Sequence, residues 1–317
     1  MTKQSTSGIR SDSRLLAVAG PTACGKSAIA LALAREVAGE IVSCDSVQVY
    51  RGFAIGCAKP TREERAMVPH HLLDVARWDE PFDAQQYRHA ALDAIAAIRG
   101  RGRMPVLCGG TGLYLRTLRW GLVDAPPADL DLRAQLYAEE VQTPGTLHAR
   151  LGTVDPVSAQ HIGPKNLVHL VRALEISLRA GEPASQLRAR HGFAQEEVPM
   201  RLVAIDRPTP VLRARITQRV DAMLAQGLLA EVEGLLAAGV PPNARPMRSV
   251  GYKEASEVVL GISPPKGLAD RIVRATLAYA RRQRTWLRRE QDVEWLRIDT
   301  DAEEAAAVRS LHSSVES

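Results

Sequence analysis

A glycine-rich loop near the amino end constrains the fold of this chain more than any other feature. An apolar run at 15–19 precedes it, and an alanine- and leucine-rich helical pattern follows it, which predicts strand, loop and helix in that order. Glycines let backbone N–H groups turn inward, and a helix N-terminus adds partial positive charge, so such a loop binds phosphate groups. The spacing G-x-x-x-x-G-K-S is carried by Gly20, Pro21, Thr22, Ala23, Cys24, Gly25, Lys26 and Ser27.

Two side chains complete the phosphate-binding pattern. Lys26 can bridge phosphate oxygens, and the Ser27 hydroxyl can hold Mg²⁺. The pattern occurs in ATP-binding and other nucleotide-binding proteins, but alone it indicates only a phosphorylated ligand. P-loop kinases often carry a magnesium-positioning aspartate after a later strand. Here the apolar run 105–108 ends in Cys-Gly-Gly-Thr, so a small-molecule or nucleotide kinase is kept as an alternative.

Alternating strand and helix patterns predict an α/β protein with a P-loop NTPase-like parallel sheet core. A proline-rich break follows residue 124, and the next stretch has helical patterns without a convincing strand. We therefore expect a mostly helical insertion domain and a helical C-terminal region. The predicted strands are 15–19, 40–44, 105–108, 201–205 and 293–298. The expected domains are a disordered tail at 1–13, a P-loop catalytic core at 14–123 and 200–300, a helical insertion at 124–199 and a flexible tail at 301–317.

Charge and cysteine content narrow the class of protein. The formal net charge of +5 permits a polyanionic partner. Cys24, Cys44, Cys57 and Cys108 form no C-x-x-C pair, so we expect reduced thiols in a cytoplasmic protein without a structural zinc site. The apolar runs are too short to predict a membrane span. A dense arginine run is typical of a solvated helix face or of a surface that follows a nucleic-acid backbone: Arg271, Arg274, Arg281, Arg282, Arg284, Arg288 and Arg289.

Two polar residues follow predicted strands and are candidates for chemistry. Asp45 comes after the second strand and Thr111 after the third. Ligands of open α/β sheets bind at the carboxyl ends of strands, so both side chains are expected near the phosphate site. Each could instead cap the helix or turn that follows it. Neighbouring His70 and His71 point to different faces, which favours packing or a local hydrogen bond over a metal site.

Several stretches in series resemble the tRNA dimethylallyltransferases, also called tRNA isopentenyltransferases, of the bacterial type. The order and spacing match over residues 14–290. Besides the P-loop, the stretches are Ser43-Cys-Asp-Ser-Val-Gln48 with Tyr50, Gly56-Cys-Ala-Lys-Pro60, His70-His-Leu72, Gly109-Gly-Thr-Gly-Leu-Tyr114, Arg172-Ala-Leu-Glu175, Gly251-Tyr-Lys253 and Arg282-Gln-Arg-Thr-Trp286.

The resemblance implies a reaction and its partners. The family transfers a dimethylallyl group from dimethylallyl diphosphate to N6 of the adenosine 3′-adjacent to the anticodon, in tRNAs that read codons beginning with U. It implies that the P-loop binds the diphosphate of the prenyl donor, that Mg²⁺ is the cofactor, and that the tRNA anticodon stem-loop is the partner. We further expect a monomer with no membrane association.

The resemblance also implies roles for individual residues. Asp45 matches the base that accepts a proton from N6, and Thr111 matches the threonine beside the bridging oxygen of the leaving diphosphate. The P-loop residues Gly20–Ser27 match diphosphate and magnesium contacts. Arg207, Arg215 and Arg219 follow the strand at 201–205, where the family places diphosphate-binding arginines. Positions matched to tRNA contacts are Asp45, Ser46, Val47, Gln48, Arg133, Val168, His169, Leu170, Val171, Arg172, Gly251, Tyr252, Lys253, Arg281, Arg282 and Gln283.

Three other functions compete with this interpretation. A P-loop kinase would turn over ATP and would not need an arginine-rich C-terminal helix. A nucleic-acid-binding module with a regulatory P-loop would bind tRNA without chemistry, and the polar turns at Asp45 and Thr111 argue against it. Prenylation of free AMP is disfavoured by the helical insertion and the basic C-terminal region.

Overall fold

The computed structural model describes residues 14–192 and 195–316. These residues form two compact units. The core unit runs up to Arg119 and resumes at Glu197, and the insertion unit comprises Trp120–Glu196. Each unit has its own cluster of buried apolar side chains. The disordered tail expected at 1–13 lies outside the described residues.

The secondary structure alternates in the core unit and is helical in the insertion unit. The strands are β1 (Leu15–Ala19), β2 (Glu40–Cys44), β3 (His70–His71), β4 (Pro105–Gly109), β5 (Met200–Asp206) and β6 (Val293–Arg297). The α-helices are α1 (Lys26–Glu36), α2 (Arg62–Met67), α3 (Ala84–Gly100), α4 (Gly112–Trp120), α5 (Leu130–Gln142), α6 (Thr146–Val154), α7 (Pro156–His161), α8 (Leu167–Ala180), α9 (Ala184–His191), α10 (Thr209–Ala225), α11 (Leu228–Ala237), α12 (Tyr252–Val259), α13 (Leu268–Leu287) and α14 (Asp301–Glu316).

Within the described residues the strands form one six-stranded sheet in the order β3-β2-β4-β1-β5-β6, and every pairing is parallel. Every residue of β1, β2 and β4 is buried. Since successive side chains point to opposite faces of a sheet, both faces of these strands are covered. The five predicted strands and the α/β class are confirmed. The two-residue strand β3 was not predicted, because two histidines carry no periodic signal.

The parallel arrangement brings the ends of three strands to one edge of the sheet. The loop after β1 carries the P-loop, and Asp45 and Gly110 follow β2 and β4 directly. The backbone N–H groups of Gly110 and Thr111 both donate to the Cys44 carbonyl at 3.2 Å. A Cβ atom on Gly109 would lie 2.1 Å from that same carbonyl oxygen, so only glycine allows β2 and β4 to end this close together.

The insertion unit contains only helices among its described residues, as the sequence predicts for 124–199. Its core comprises eight buried apolar side chains, which come from α5, α6, the end of α7, and α8. They are Leu136, Leu147, Leu151, Ile162, Leu170, Val171, Ala173 and Leu174. This apolar core accounts for the compactness of the unit.

The flexible tail expected at 301–317 is wrong for residues 301–316, which form α14. Its residues Ala307, Val308 and Leu311 are buried and belong to the main core cluster, and α14 packs against α1. Thr300 begins the helix by a reciprocal cap: its hydroxyl accepts from the Glu303 N–H at 3.2 Å, and Glu303 accepts from the Thr300 N–H at 3.0 Å. The T-x-x-E spacing was the sequence signal for this helix.

Candidate active site

The P-loop between β1 and α1 has the backbone geometry of an anion-binding loop. Gly20, Ala23 and Gly25 all have positive φ angles. A Cβ on Gly20 would lie 2.6 Å from the Ile205 carbonyl oxygen, so this position requires glycine. The N-terminus of α1 has no side-chain cap. Its first N–H groups are therefore left for a ligand rather than for a protein acceptor.

Gln283 connects the P-loop to the turn after β4. Its Oε1 accepts from the Thr22 N–H at 2.8 Å, and its Nε2 donates to the Gly110 carbonyl at 3.0 Å. The residue is only 4% exposed. The side chain that the sequence analysis matched to a tRNA contact is thus used inside the protein, where it fixes two phosphate-site loops relative to each other.

The three arginines after β5 have two different environments. Arg207 donates through Nε to the Cys24 carbonyl at 2.6 Å, and Arg215 donates through Nε to the Ala23 carbonyl at 3.0 Å. Arg207 is buried and also pairs with Glu304 of α14. Both arginines therefore hold P-loop carbonyls from within the protein, a role that sequence reasoning did not find.

Arg219 has a different environment from the other two arginines. It lines the cavity at the P-loop. Across the described residues its guanidinium has neither a hydrogen bond nor an ion pair. Burial lowers its pKa, an effect that the nearby Asp45 carboxylate opposes. A guanidinium that lines a cavity without a bonded protein partner is a site for an anionic ligand.

Asp45 uses one carboxylate oxygen to hold its own turn. Oδ1 accepts from the Val47 N–H at 2.8 Å and from the Gln48 N–H at 3.2 Å. Oδ2 has no hydrogen-bond partner among the residues that the structure describes. Asp45 also lines the cavity at the P-loop. The capping role and the functional role left open by the sequence are therefore compatible, since they use different oxygens.

Thr111 lies beside the Asp45 turn. Its Oγ1 accepts from the Ser46 N–H at 3.0 Å and lies 3.5 Å from Ser46 Oγ. Tyr279 of α13, which sequence reasoning did not select as a site residue, adjoins both Thr111 and Asp45. Burial and the Asp45 charge raise the pKa of this phenol, and hydrogen bonding to Thr111 lowers it in part. Tyr279 therefore stays protonated at neutral pH and can donate a hydrogen bond.

Two cavities adjoin these residues, and five residues line both of them: Thr22, Asp45, Cys57, Arg219 and Tyr279. The first cavity also contains Lys26 and Ser27, so it is the phosphate side. The second is lined by Arg248 and Arg282 besides the shared Arg219, and it has an apolar wall formed by Ile216, Val220, Met223 and Ile272 among others. Two binding spaces therefore share Asp45 in their common wall.

The predicted tRNA contacts near the second cavity separate into exposed and buried positions. Ser46, Val47, Gly251 and Arg282 line the cavity. Lys253 and Arg281 are exposed. Tyr252 is fully buried, with its ring 5.0 Å from that of Phe53. Because this ring is enclosed in the core, the tRNA contact predicted at Tyr252 would have to come from its backbone, and it stays a prediction.

Gln48 is also fully engaged within the protein. Its Oε1 accepts from Ser43 Oγ at 3.0 Å, and its Nε2 donates to the carbonyls of Cys57 and Ala58, both at 3.2 Å. Gln48 lines the first cavity. Its amide therefore presents a fixed surface there.

In the insertion unit, a buried carboxylate engages two predicted tRNA contacts. Arg133 pairs with Glu175 through Nε and Nη2, both at 2.8 Å, and Arg172 pairs with the same carboxylate. Glu175 is 0% exposed. Burial opposes its ionisation, but the hydrogen bonds from Arg133, the Asp129 N–H and Arg172 outweigh burial and lower its pKa. These arginines therefore stabilise the insertion unit.

Helix α8 divides the remaining predicted tRNA contacts. Val168 and His169 are exposed and remain available to a partner. Leu170 and Val171 are buried in the core of the insertion unit. Of these four positions on α8, it is therefore Val168 and His169 that present side chains to solvent, and the predicted tRNA contacts of the segment stay predictions.

The histidine pair has local partners, as the sequence predicts. His70 Nδ1 lies 2.8 Å from the Val68 carbonyl, and His71 Nε2 lies 2.6 Å from Glu40 Oε2. In the described part of the chain, no group of three or more His, Cys, Asp and Glu side chains could hold a metal ion. The four cysteines are free thiols. None of the described helices is both long and apolar enough to cross a bilayer.

Comparison with known proteins identifies the family. The model of the IPP transferase family matches residues 48–290. The chain belongs to this family. It is 48% identical to tRNA dimethylallyltransferase 1 of Trichlorobacter lovleyi over 284 residues, which cover 89% of this chain and 93% of that protein. The family resemblance read from the sequence motifs is thereby confirmed.

Solved structures of family members have the same fold. The full-length tRNA isopentenylpyrophosphate transferase from Bacillus halodurans is 33% identical, with a TM-score of 0.69, and the match covers 96% of this chain and 97% of that chain. A eukaryotic dimethylallyltransferase acting on tRNA is 25% identical, with a TM-score of 0.78, over 94% of this chain and 77% of that one. These comparisons support a prenyltransferase and not the kinase alternative.

Proposed function

We propose that this protein transfers a dimethylallyl group from dimethylallyl diphosphate to N6 of the adenosine 3′-adjacent to the anticodon, in tRNAs that read U-initial codons. The observation that carries the proposal is the position of Asp45 in the wall shared by two cavities. One of these cavities is lined by Lys26 and Ser27 of the P-loop, and the other has an apolar wall with Arg248 and Arg282 besides the shared Arg219. This arrangement suits a charged donor and a planar acceptor that meet at one carboxylate.

The donor binds with its diphosphate at the P-loop. Lys26, the N–H groups at the start of α1 and Arg219 oppose the charge that builds on the diphosphate as it leaves. Arg207 and Arg215 act indirectly, because they hold the carbonyls of Cys24 and Ala23. Of the three arginines proposed from the sequence, we assign the direct contact to Arg219, because it lines both cavities and has no hydrogen bond to the described residues.

Mg²⁺ fits this site as a partner of the bound diphosphate. The exposed Ser27 offers a hydroxyl oxygen in the first cavity, and oxygen is the donor that this cation prefers. Magnesium commonly uses few protein ligands when phosphate oxygens and water supply the rest. Ser27 would hold the ion, which when bound adds positive charge against the leaving group.

The acceptor adenine enters the second cavity after leaving its stack, which costs a few kcal/mol. Its exocyclic amine is a poor nucleophile, because the lone pair is delocalised into the ring. As the N6–C bond forms, the C–O bond to the diphosphate breaks and the N6 proton passes to Asp45 Oδ2. Thr111 holds the Asp45 turn through the Ser46 N–H, and Tyr279 supplies a phenol hydroxyl in the wall that it shares with Asp45.

Arginines at the second cavity and on α13 would bind the anticodon stem-loop. Arg248 and Arg282 line that cavity, and Arg282 lies 5.7 Å from the centre of the Tyr279 ring. Phosphate contacts from such arginines offset the cost of extruding the base. We further propose a monomeric cytoplasmic enzyme.

One assay tests the reaction against its alternatives. Purified protein is incubated with labelled dimethylallyl diphosphate, ATP, AMP and unmodified tRNA, and the labelled product is identified. Transfer of the prenyl label to tRNA at the expected adenosine supports the proposal. Rapid ATP hydrolysis or phosphoryl transfer without any prenylated product contradicts it, and label in AMP but not tRNA assigns a different acceptor.

A further inference from the structure

Glu231 of α11 accepts hydrogen bonds from a loop about 175 residues away in sequence. Its carboxylate receives the N–H groups of three consecutive residues: Ala54 at 3.3 Å, Ile55 at 2.8 Å and Gly56 at 3.5 Å. The Tyr252 hydroxyl donates to the same carboxylate. No cation pairs with Glu231 among the residues that the structure describes. Backbone dipoles therefore balance its charge, as in an anion-binding nest.

Tyr252 also packs against the loop that Glu231 binds. Its ring is fully buried and packs edge-to-face against Phe53. A Cβ on Gly56 would lie 2.5 Å from Cε2 of that ring, so the backbone at Gly56 lies directly on the tyrosine. The loop is thus held by packing on one side and by hydrogen bonds to a carboxylate on the other.

The far end of the loop is fixed by separate contacts. Buried Lys59 donates from Nζ to the Tyr50 carbonyl and pairs with Asp74, both at 2.7 Å. Ala58 has a φ of +46°, which a residue with a side chain adopts only when its surroundings hold it there. The carbonyls of Cys57 and Ala58 in turn receive the Gln48 amide.

The segment 54–58, here called the wall loop, is part of both cavities. Cys57 lines both, Ala58 lines the first, and Gly56 lines the second. Movement of the wall loop would change the shape of both spaces and remove the two carbonyls that accept from Gln48 Nε2. The contacts of Glu231 therefore control the cavity walls next to Asp45, although Glu231 itself lines neither cavity.

We infer that Glu231 is a positioning residue for catalysis: with Tyr252, it holds the wall loop so that Gln48 and the walls beside Asp45 have the geometry that transfer requires. The part of this inference that concerns transfer rests on the proposed function. The part that concerns the position of the wall loop is independent of the proposed function.

The reactivity of the Cys57 thiol reports whether the wall loop is closed or open. Cys57 is the one cysteine of the four that is partly exposed, and the other three are buried in the core. Burial, with a contribution from Asp45, raises the pKa of the Cys57 thiol to about 12. Its reaction with a thiol reagent at neutral pH is therefore slow while the loop is closed, and it accelerates when the loop opens.

The experiment compares wild-type protein with Glu231→Ala, Glu231→Gln and the milder Tyr252→Phe. Glu233→Ala on the same helix is the matched control, because Glu233 is exposed and has no hydrogen bond or ion pair among the described residues. Three measurements are made: the rate of Cys57 reaction with a disulfide reagent, pyrophosphate affinity, and single-turnover transfer to tRNA.

We expect Cys57 to react at least about tenfold faster in Glu231→Ala, the factor that corresponds to losing one hydrogen bond to a charged group. Glu231→Gln and Tyr252→Phe should show smaller increases, and Glu233→Ala none. Cys24, Cys44 and Cys108 should stay unreactive in each variant, which shows that the fold persists. The transfer rate should fall in the same order. Pyrophosphate affinity should stay unchanged, because the groups proposed to bind it, Lys26, the N–H groups at the start of α1 and Arg219, lie outside the wall loop.

Two results would overturn the inference. An unchanged Cys57 rate in Glu231→Ala would mean that the carboxylate does not hold the wall loop. A faster Cys57 reaction with an undiminished transfer rate would mean that the loop has no part in catalysis. Failure of the proposed function is distinguishable from both, since wild-type protein would then transfer no prenyl group while the thiol rates still separate the variants.

Discussion

At the residue scale, the site depends on how single side chains divide their polar atoms. Asp45 holds its turn with Oδ1, and its Oδ2 has no hydrogen-bond partner among the described residues. Arg219 is partly buried and has no bonded partner in the part of the chain that the structure describes, whereas Arg207 and Arg215 donate from Nε to P-loop carbonyls. Polar atoms that are hydrogen-bonded within the protein hold the shape of the site, and polar atoms without such a bond, as in Asp45 Oδ2 and Arg219, are left for the ligand.

The Asp45→Asn variant separates the role of Asp45 as proton acceptor from its role in holding the turn. Asparagine keeps an oxygen acceptor for the Val47 and Gln48 N–H groups but cannot take up a proton from N6. We expect single-turnover transfer to fall by about 10²- to 10⁴-fold, the range for loss of general base catalysis, with tRNA affinity unchanged. Asp45→Ala should also lose transfer. A near wild-type rate in either variant would contradict the role of Asp45 as base.

Arg219→Gln tests which arginine contacts the diphosphate. Loss of a direct hydrogen bond to a charged group costs about 1.5–3 kcal/mol, so pyrophosphate affinity should fall tenfold or more. Isothermal titration of pyrophosphate measures this directly. Arg213→Ala is the control, since Arg213 is exposed on the same helix. Equal affinities for the Arg219 variant and the control would assign the contact to another group.

At the scale of single elements, two segments show how helices support the site and the insertion. Helix α14 brings Glu304 to Arg207, and Arg207 holds the P-loop carbonyl of Cys24. Helix α8 places Glu175 where Arg133, Arg172 and the Asp129 N–H converge. In both cases an acid on one element satisfies donors from another, which fixes elements that are distant in sequence.

Glu175→Gln should destabilise the insertion unit. Removing a buried carboxylate leaves two guanidinium groups without their partner, and we expect a loss of about 2–3 kcal/mol, below the range for fully buried pairs because both arginines reach solvent. Thermal or urea unfolding measures it. The folded pKa of Glu175 is lowered, so its stabilisation is present above the unfolded pKa and is lost as pH falls through the folded value. The variant should lack this acid-dependent loss, and an unchanged pH profile would refute the assignment.

At the scale of the whole molecule, the excess of positive charge and its placement decide how a polyanion binds. The net charge of +5 is modest. Arg281 and Arg282 are exposed on α13, and Arg282 reaches the second cavity. Local concentration of charge near a cavity attracts phosphates more effectively than the same charge spread over the surface.

Replacing both Arg281 and Arg282 by alanine should weaken tRNA binding and flatten its dependence on salt. Each lost phosphate contact reduces the slope of log affinity against log salt by about 0.7–0.9, so the expected change is about 1.5. Filter binding over a range of salt concentrations measures it. Arg35→Ala with Arg213→Ala removes the same charge from exposed positions on α1 and α10. Identical slopes for the two double variants would show that only net charge matters.

Local patterns in the chain determined the fold class and the position of the phosphate site. Strand, loop and helix around Gly20–Ser27 follow from apolar runs and glycine spacing, which neighbours in sequence are enough to specify. Asp45 and Thr111 were found because parallel strands end at one edge of a sheet. Helix α14 was missed although Thr300 and Glu303 carry a capping signal, since its apolar stripe is short.

Only the tertiary structure decided what each side chain does. Gln283, Tyr252, Leu170 and Val171 lie in motifs or matched segments that suggest ligand contacts, yet packing encloses all four. Arg207 and Arg215 donate to P-loop carbonyls, whereas Arg219 has no such bond among the described residues. Glu231 accepts from backbone amides about 175 residues away in sequence. Sequence spacing specifies which residues are near each other along one element, whereas burial and long-range hydrogen bonds exist only once distant elements have packed together.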